Sequence, residues 1–140
     1  MLDTRLQRSL SGLEEMFTFL EDHLARHTVD ERTAYDVKLV AEELFTNMVR
    51  HNVRRHTGSG RDFITLGLEI ADDRIDFRLT DYGVEPFDDE SVDDVDFELP
   101  LEEREPGGLG VFLVKSRVDQ INYEYEDGDM HVSVKKIRRS

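Results

Sequence analysis

No cysteine occurs in the 140 residues, so disulfides and thiolate zinc sites are both excluded. That fits a reducing compartment, and a cytoplasmic location is the expectation. Long hydrophobic runs are missing too: nothing approaches the roughly 18 apolar residues of a membrane span. The opening MLDTRLQRSL lacks the uninterrupted apolar segment of a signal peptide, so no membrane role is expected. Basic residues are scarce. Eighteen lysines and arginines face 32 aspartates and glutamates, and the net charge of −14 argues against non-specific binding to nucleic acid or anionic lipid. A basic protein partner, or a cation that shields the acid, suits that balance. No internal repeat is visible. With 38% hydrophobic residues the chain is long enough to close one core, and a single domain over 1–140 is expected.

The chain is organised around Val37–Arg54, whose spacing predicts one amphipathic helix. Val37, Val40, Ala41, Leu44, Phe45, Met48 and Val49 recur at helical intervals and form an apolar face. Glu43, Asn47 and His51 line up one turn apart on a second stripe. A carboxylate and a carboxamide so placed beside a core face can hold a metal ion and a proton acceptor together; a solvated polar stripe is the plainer reading of the same pattern. Upstream, Leu10, Leu13, Phe17, Leu20 and Leu24 step by threes and fours and predict an earlier helix, with Ser11 and Glu14 offering a capping box. Around the short stretch 3–9, Leu2, Leu6 and Leu10 suit the start of a helix or an edge strand. Asp30 and Thr33 offer N-caps to the second helix. His23 and His27 share a spacing that can ligate metal, but no third ligand is near; core packing with an outer face open to a partner is the expected role there.

Two alternating runs follow. Ile64, Leu66, Leu68 and Ile70, the turn Ala71-Asp72-Asp73, then Ile75, Phe77 and Leu79 predict an antiparallel hairpin with one buried face. Asp81-Tyr82-Gly83-Val84-Glu85-Pro86-Phe87-Asp88 ends it. From Asp88 to Glu105 the chain carries ten acidic residues in 18, with Arg104 its only basic one, which reads as a lid, a binding loop or a disordered segment. Pro106-Gly107-Gly108-Leu109-Gly110 then opens an apolar run through Val111, Leu113, Val114 and Val118. A glycine turn that starts a helix presents free N–H groups to an anion, although glycine serves ordinary turns as well. A second hairpin closes the chain: Ile121, Tyr123 and Tyr125, the turn Asp127-Gly128, and Met130, Val132 and Val134. Lys135-Lys136-Ile137-Arg138-Arg139 is read as a solvated basic end. The sum is an α/β (α+β) two-layer sandwich, a mostly antiparallel sheet of four or five strands with about three helices on one face.

Three of these stretches resemble, in order and spacing, the motifs of the GHKL ATPase superfamily, and most nearly its bacterial anti-sigma-factor serine/threonine kinases of the partner-switching type. Glu42–His51 is similar to their helical N box, Asp81–Asp88 to their first glycine box and Gly107–Val111 to their second. Glu85 stands where many members have another glycine. The resemblance covers roughly residues 10–137, and it implies the Bergerat-type ATP-binding fold, with 84–108 as an acidic ATP lid. It implies ATP and Mg²⁺ as cofactors, Asn47 as the magnesium ligand and Glu43 as the general base toward a serine hydroxyl. It further implies that Asp81 accepts a hydrogen bond from the adenine amino group, that Gly83 lets the backbone approach the base, and that Gly107, Gly108, Leu109 and Gly110 meet the phosphates. Arg104 with Mg²⁺ would offset the acid of the lid; the role of His51 stays open. The implied function is an anti-sigma factor that binds a sigma factor or similar regulator and phosphorylates its antagonist, without direct nucleic-acid contact and with a possible homodimer. The alternative is a catalytically silent module of the same fold that sequesters a regulator without turning over ATP.

Overall fold

Leu2–Gln7, which the sequence leaves open between helix and strand, is an edge strand, β1. It is followed by α1 (Leu10–Arg26), α2 (Glu31–His51), the strands β2 (Phe63–Ile70) and β3 (Arg74–Asp81), and then β4 (Gln120–Glu126) and β5 (Asp129–Ile137). The structure is a computed structural model and describes residues 1–52, 62–85 and 117–138. The five strands form one sheet in the order β1-β2-β3-β5-β4, every neighbouring pair antiparallel. Both expected hairpins are present. The second turns at Asp127 and Gly128 with φ of 54° and 86°, the left-handed pair that matches strand twist in a tight turn.

The helices cover one face of the sheet. Period-two alternation aims Ile64, Leu66 and Leu68 of β2, Ile75, Phe77 and Leu79 of β3, and Met130, Val132 and Val134 of β5 at that layer. From α2 they meet Val37, Val40, Ala41, Leu44, Phe45 and Met48, all buried as the helical spacing predicts. The helix begins earlier than Val37. Asp30 is its N-cap, with Oδ2 accepting the Thr33 N–H at 3.0 Å. Hydrogen bonds from Thr33, the side-chain one first, hold the Asp30 carboxyl below its ordinary pKa.

The first helix departs from expectation in two respects. Its buried residues are Gly12, Met16, Leu20 and Leu24, while Leu10 is 69% exposed, so the inward face is rotated from the predicted stripe. The cause is the junction with β1. Gly12 lies so close to the Gln7 carbonyl that a Cβ there would collide with backbone, and only glycine permits that packing. The Ser11–Glu14 capping box does not form either, because Ser9 is the N-cap and carries no side-chain cap bond. His23 sits edge-on to Phe19, with ring centroids 4.4 Å apart. Most of the acidic lid, the second glycine box with Gly107, Gly108, Leu109 and Gly110, Arg104 and nearly all of the third helix lie outside the described residues.

Candidate functional site

The candidate site lies at the C-terminal end of α2, where that helix passes the end of β3. Glu43 and Asn47 are half-buried and His51 is exposed, so the polar stripe runs along the margin of the core face. Neither Glu43 nor Asn47 makes a side-chain hydrogen bond or ion pair with another described residue. Their oxygens are therefore uncommitted among the described residues. A carboxamide oxygen is a hard donor suited to Mg²⁺, which keeps several waters and needs few protein ligands. In keeping with that, no cluster of three or more His, Cys, Asp or Glu side chains forms an all-protein metal cage among the described residues.

Asp81 reaches the site by alternation. It follows Ile75, Phe77 and Leu79 on the inward face of β3, in register with Ile64 of β2 and Met130 of β5. An aspartate at a core position needs partners, since an unpaired buried charge is costly. Asp81 has them: its side chain is 0% exposed and Arg8 grips it with both ends of the guanidinium fork. Arg8 Nε donates to Oδ1 at 2.9 Å and Nη2 to Oδ2 at 3.1 Å. Asn52 Nδ2 donates to Oδ2 at 2.9 Å. The same Arg8 Nη2 donates to the Met48 carbonyl at 2.8 Å, placing a cation on the negative end of α2. One side chain thus ties the exit of β1, the last turn of α2 and the end of β3 together.

Gly83 has φ of 63° with nothing within 4 Å of where a Cβ would stand, so the backbone conformation and not crowding calls for glycine. The first glycine box is fastened to the second hairpin. Gly83 N–H donates to Asp129 Oδ1 at 3.0 Å, Val84 N–H to the Gly128 carbonyl at 2.9 Å, and the Tyr125 hydroxyl to the Val84 carbonyl at 2.8 Å. Val84, the first residue of the expected lid, is buried in the core.

The structure joins Asp81, with Gly83 two residues beyond it, to the last turn of α2 through Arg8 and Asn52, and Asn47 and Glu43 precede that junction along the same helix. The fit to a magnesium nucleotide is divided. The helix supplies oxygens of the right kind that are uncommitted among the described residues, whereas the carboxylate expected to meet adenine is already engaged. Sequence reasoning missed Arg8 and Asn52. Arg8 has the same even parity as Leu6 and points inward once residues 2–7 are read as a strand, so a signal existed. At the far end of α2 a polar cleft of about 470 Å³ is lined by Asp30, Arg32, Thr33, Asp36, Arg117 and Lys136 among others. Its charges largely answer one another: Arg117 and Lys136 meet the two oxygens of Asp36 at 2.9 and 3.3 Å.

The sequence pattern of the histidine kinase-like ATPase domain matches residues 6–136. A serine-protein kinase, RsbW, of Staphylococcus epidermidis is 33% identical over 114 residues, covering 74% of this chain and 66% of that one. The chain thus spans just under two thirds of the length of that curated relative. Among solved structures, the RsbU and RsbW domains of a Mycobacterium tuberculosis protein superpose with a TM-score of 0.65 at 14% identity, over 100% of this chain and 34% of that one. A chain of the SiaB–SiaC complex of Pseudomonas aeruginosa gives 0.60 at 19% identity, over 98% and 89%. Both likenesses bear on the fold. No helix among the described residues is long and apolar enough to cross a membrane.

Proposed function

This chain belongs to the histidine kinase-like ATPase domain family, and from that premise we propose that it is an ATP-dependent protein serine/threonine kinase of the anti-sigma type. It holds a sigma factor or similar regulator, phosphorylates that regulator's antagonist, and works in the cytoplasm. The observation that carries this reading is the pairing of Glu43 and Asn47 on α2, one turn apart and uncommitted to other described residues.

When bound, magnesium ATP supplies the transferable phosphoryl group. Asn47 would hold the cation through its carboxamide oxygen. Glu43 would take the proton from the acceptor serine hydroxyl as that oxygen bonds the γ-phosphorus and the bond to ADP breaks. Gly83 would leave the backbone open beside the base, and Asp81, once released by Arg8, would accept from the base's amino group. Gly107, Gly108, Leu109, Gly110 and Arg104, outside the described residues, are assigned to the phosphates. Positioning and charge neutralisation account for most of the rate in such a site.

Calorimetric titration with ATP, with and without Mg²⁺, tests the premise, and Glu43→Ala tests the chemistry. Binding should depend on magnesium and survive in Glu43→Ala. Transfer of the γ-phosphate to a protein acceptor should fall by roughly a hundredfold or more in that variant. Transfer at the wild-type rate removes Glu43 from the role of base.

A second reading is favoured by the engagement of Asp81 by Arg8. On it, the fold is kept as a binding module that sequesters a regulator without ATP turnover. Partner affinity indifferent to chelator and to Asn47→Asp would select that reading.

A further inference from the structure

We propose that Arg8 is an internal competitor for the base-recognition carboxylate, so that an adenine base gains Asp81 only by displacing the Arg8 guanidinium. The inference rests on the assignment of Asp81 to base recognition made above. A carboxylate offers about four lone-pair positions. Three are used within the chain, by Arg8 Nε, Arg8 Nη2 and Asn52 Nδ2. Asp81 is 0% exposed and Arg8 only 9%, so no solvent-facing oxygen is left to receive an incoming amino group.

Of the two partners, Arg8 is the one able to leave. Asn52 is anchored as the C-cap of α2, its own N–H donating to the Met48 carbonyl at 3.3 Å. Arg8 stands just past the end of an edge strand, on a long flexible stem, in a chain of net charge −14 that stabilises a freed guanidinium in solvent. Displacement exchanges a charge-assisted, two-point contact with Asp81, and the Arg8 bond to the Met48 carbonyl, for a single neutral donor. The engaged form therefore dominates in the free protein, and apparent affinity is reduced by the fraction of molecules with Asp81 released. If one molecule in ten is released, the loss is about tenfold. Arg8 is thus a determinant of how tightly, and how selectively, this chain takes an adenine nucleotide.

The test compares wild type and Arg8→Gln for binding of Mg-ATP and of Mg-ITP, whose base carries a carbonyl oxygen where adenine has its amino group. Competition at Asp81 requires Arg8→Gln to bind ATP at least about tenfold tighter, with the preference for ATP over ITP increased. A folded Arg8→Gln protein with unchanged or weaker ATP affinity overturns the proposal; magnesium-dependent ATP binding by wild type would then leave the kinase reading standing. Absence of ATP binding in both proteins overturns the two together. Because Arg8→Gln also loosens the β1–α2–β3 junction, the wild-type Arg8 Nε–H resonance supplies a second readout. It should be protected from solvent exchange in the free protein, shift and lose protection on addition of ATP, and ignore tripolyphosphate. An Arg8 signal unmoved at saturating ATP overturns the proposal independently of any variant.

Discussion

The two ends of α2 each gather cations around an inward-facing aspartate, and they do so in different ways. Near the start, Asp36 is met by Arg117, 38% exposed, and by Lys136, 19% exposed, beside an open polar cleft. Near the end, Asp81 is sealed from solvent and gripped by Arg8 through two parallel bonds. Water reaches the cations of the first site where they stand and reaches Arg8 only if it swings out, so the same pair of charges carries very different consequences. In a chain so rich in acid, the buried Asp81 is met by one of the chain's few basic residues.

Three measurements bear on that contrast. Asp81→Ala should have the largest effect: Arg8 is then either left unpaired in a buried place or driven out to solvent with loss of the β1–α2–β3 junction, at a cost of about 3–5 kcal/mol in urea unfolding. A loss below about 1 kcal/mol would place Asp81 with the solvated pairs. Asp36→Ala should cost less, about 1–2 kcal/mol, because Arg117 and Lys136 keep access to water and Lys136 also donates to the Arg117 carbonyl at 2.7 Å. Equal losses at the two aspartates would erase the distinction between the ends. The smallest effect belongs to His131, one register step from Asp81's partner Met130, where its Nδ1 lies 2.9 Å from the Thr80 hydroxyl. Burial, with Arg78 adding to it, pushes the His131 pKa below its ordinary 6.5, against the weaker pull of Asp129, Glu124 and Glu126. The unfolded chain then takes the proton first as pH falls. This contribution is intact above 6.5, declines below it, and levels off once the folded-state pKa is passed. Unfolding free energies of His131→Asn should be flatter than wild type across that window.

Much of the architecture was legible because it rests on local periodicity. The even-numbered run Ile64, Leu66 and Leu68, the odd-numbered Ile75, Phe77 and Leu79, and the helical face from Val37 to Met48 are all buried as their spacing predicts. Asp30 caps α2 and Asp127-Gly128 turns the last hairpin because both signals act over a few residues. The candidate site was legible in part. Glu43 and Asn47 belong to one helix, and their relation is fixed by its pitch. What escaped was the rotation of α1, decided by the collision that Gly12 avoids with Gln7, and the engagement of Asp81 by Arg8 across 73 positions.

The sequence by itself determined that 10–26 and α2 are helical, that two hairpins follow, and which faces α2, β2 and β3 turn inward. Those properties follow from pitch, pleat and capping, which are settled within a turn or a hairpin. Only the tertiary structure decided who answers Asp81. That choice depends on β1 taking the outer edge beside β2 and on α2 ending at His51, so that a guanidinium, a C-cap amide and a buried carboxylate converge. A buried charge must be paired, but the chain can supply the partner from any distance, and nothing in local spacing records which residue it will be.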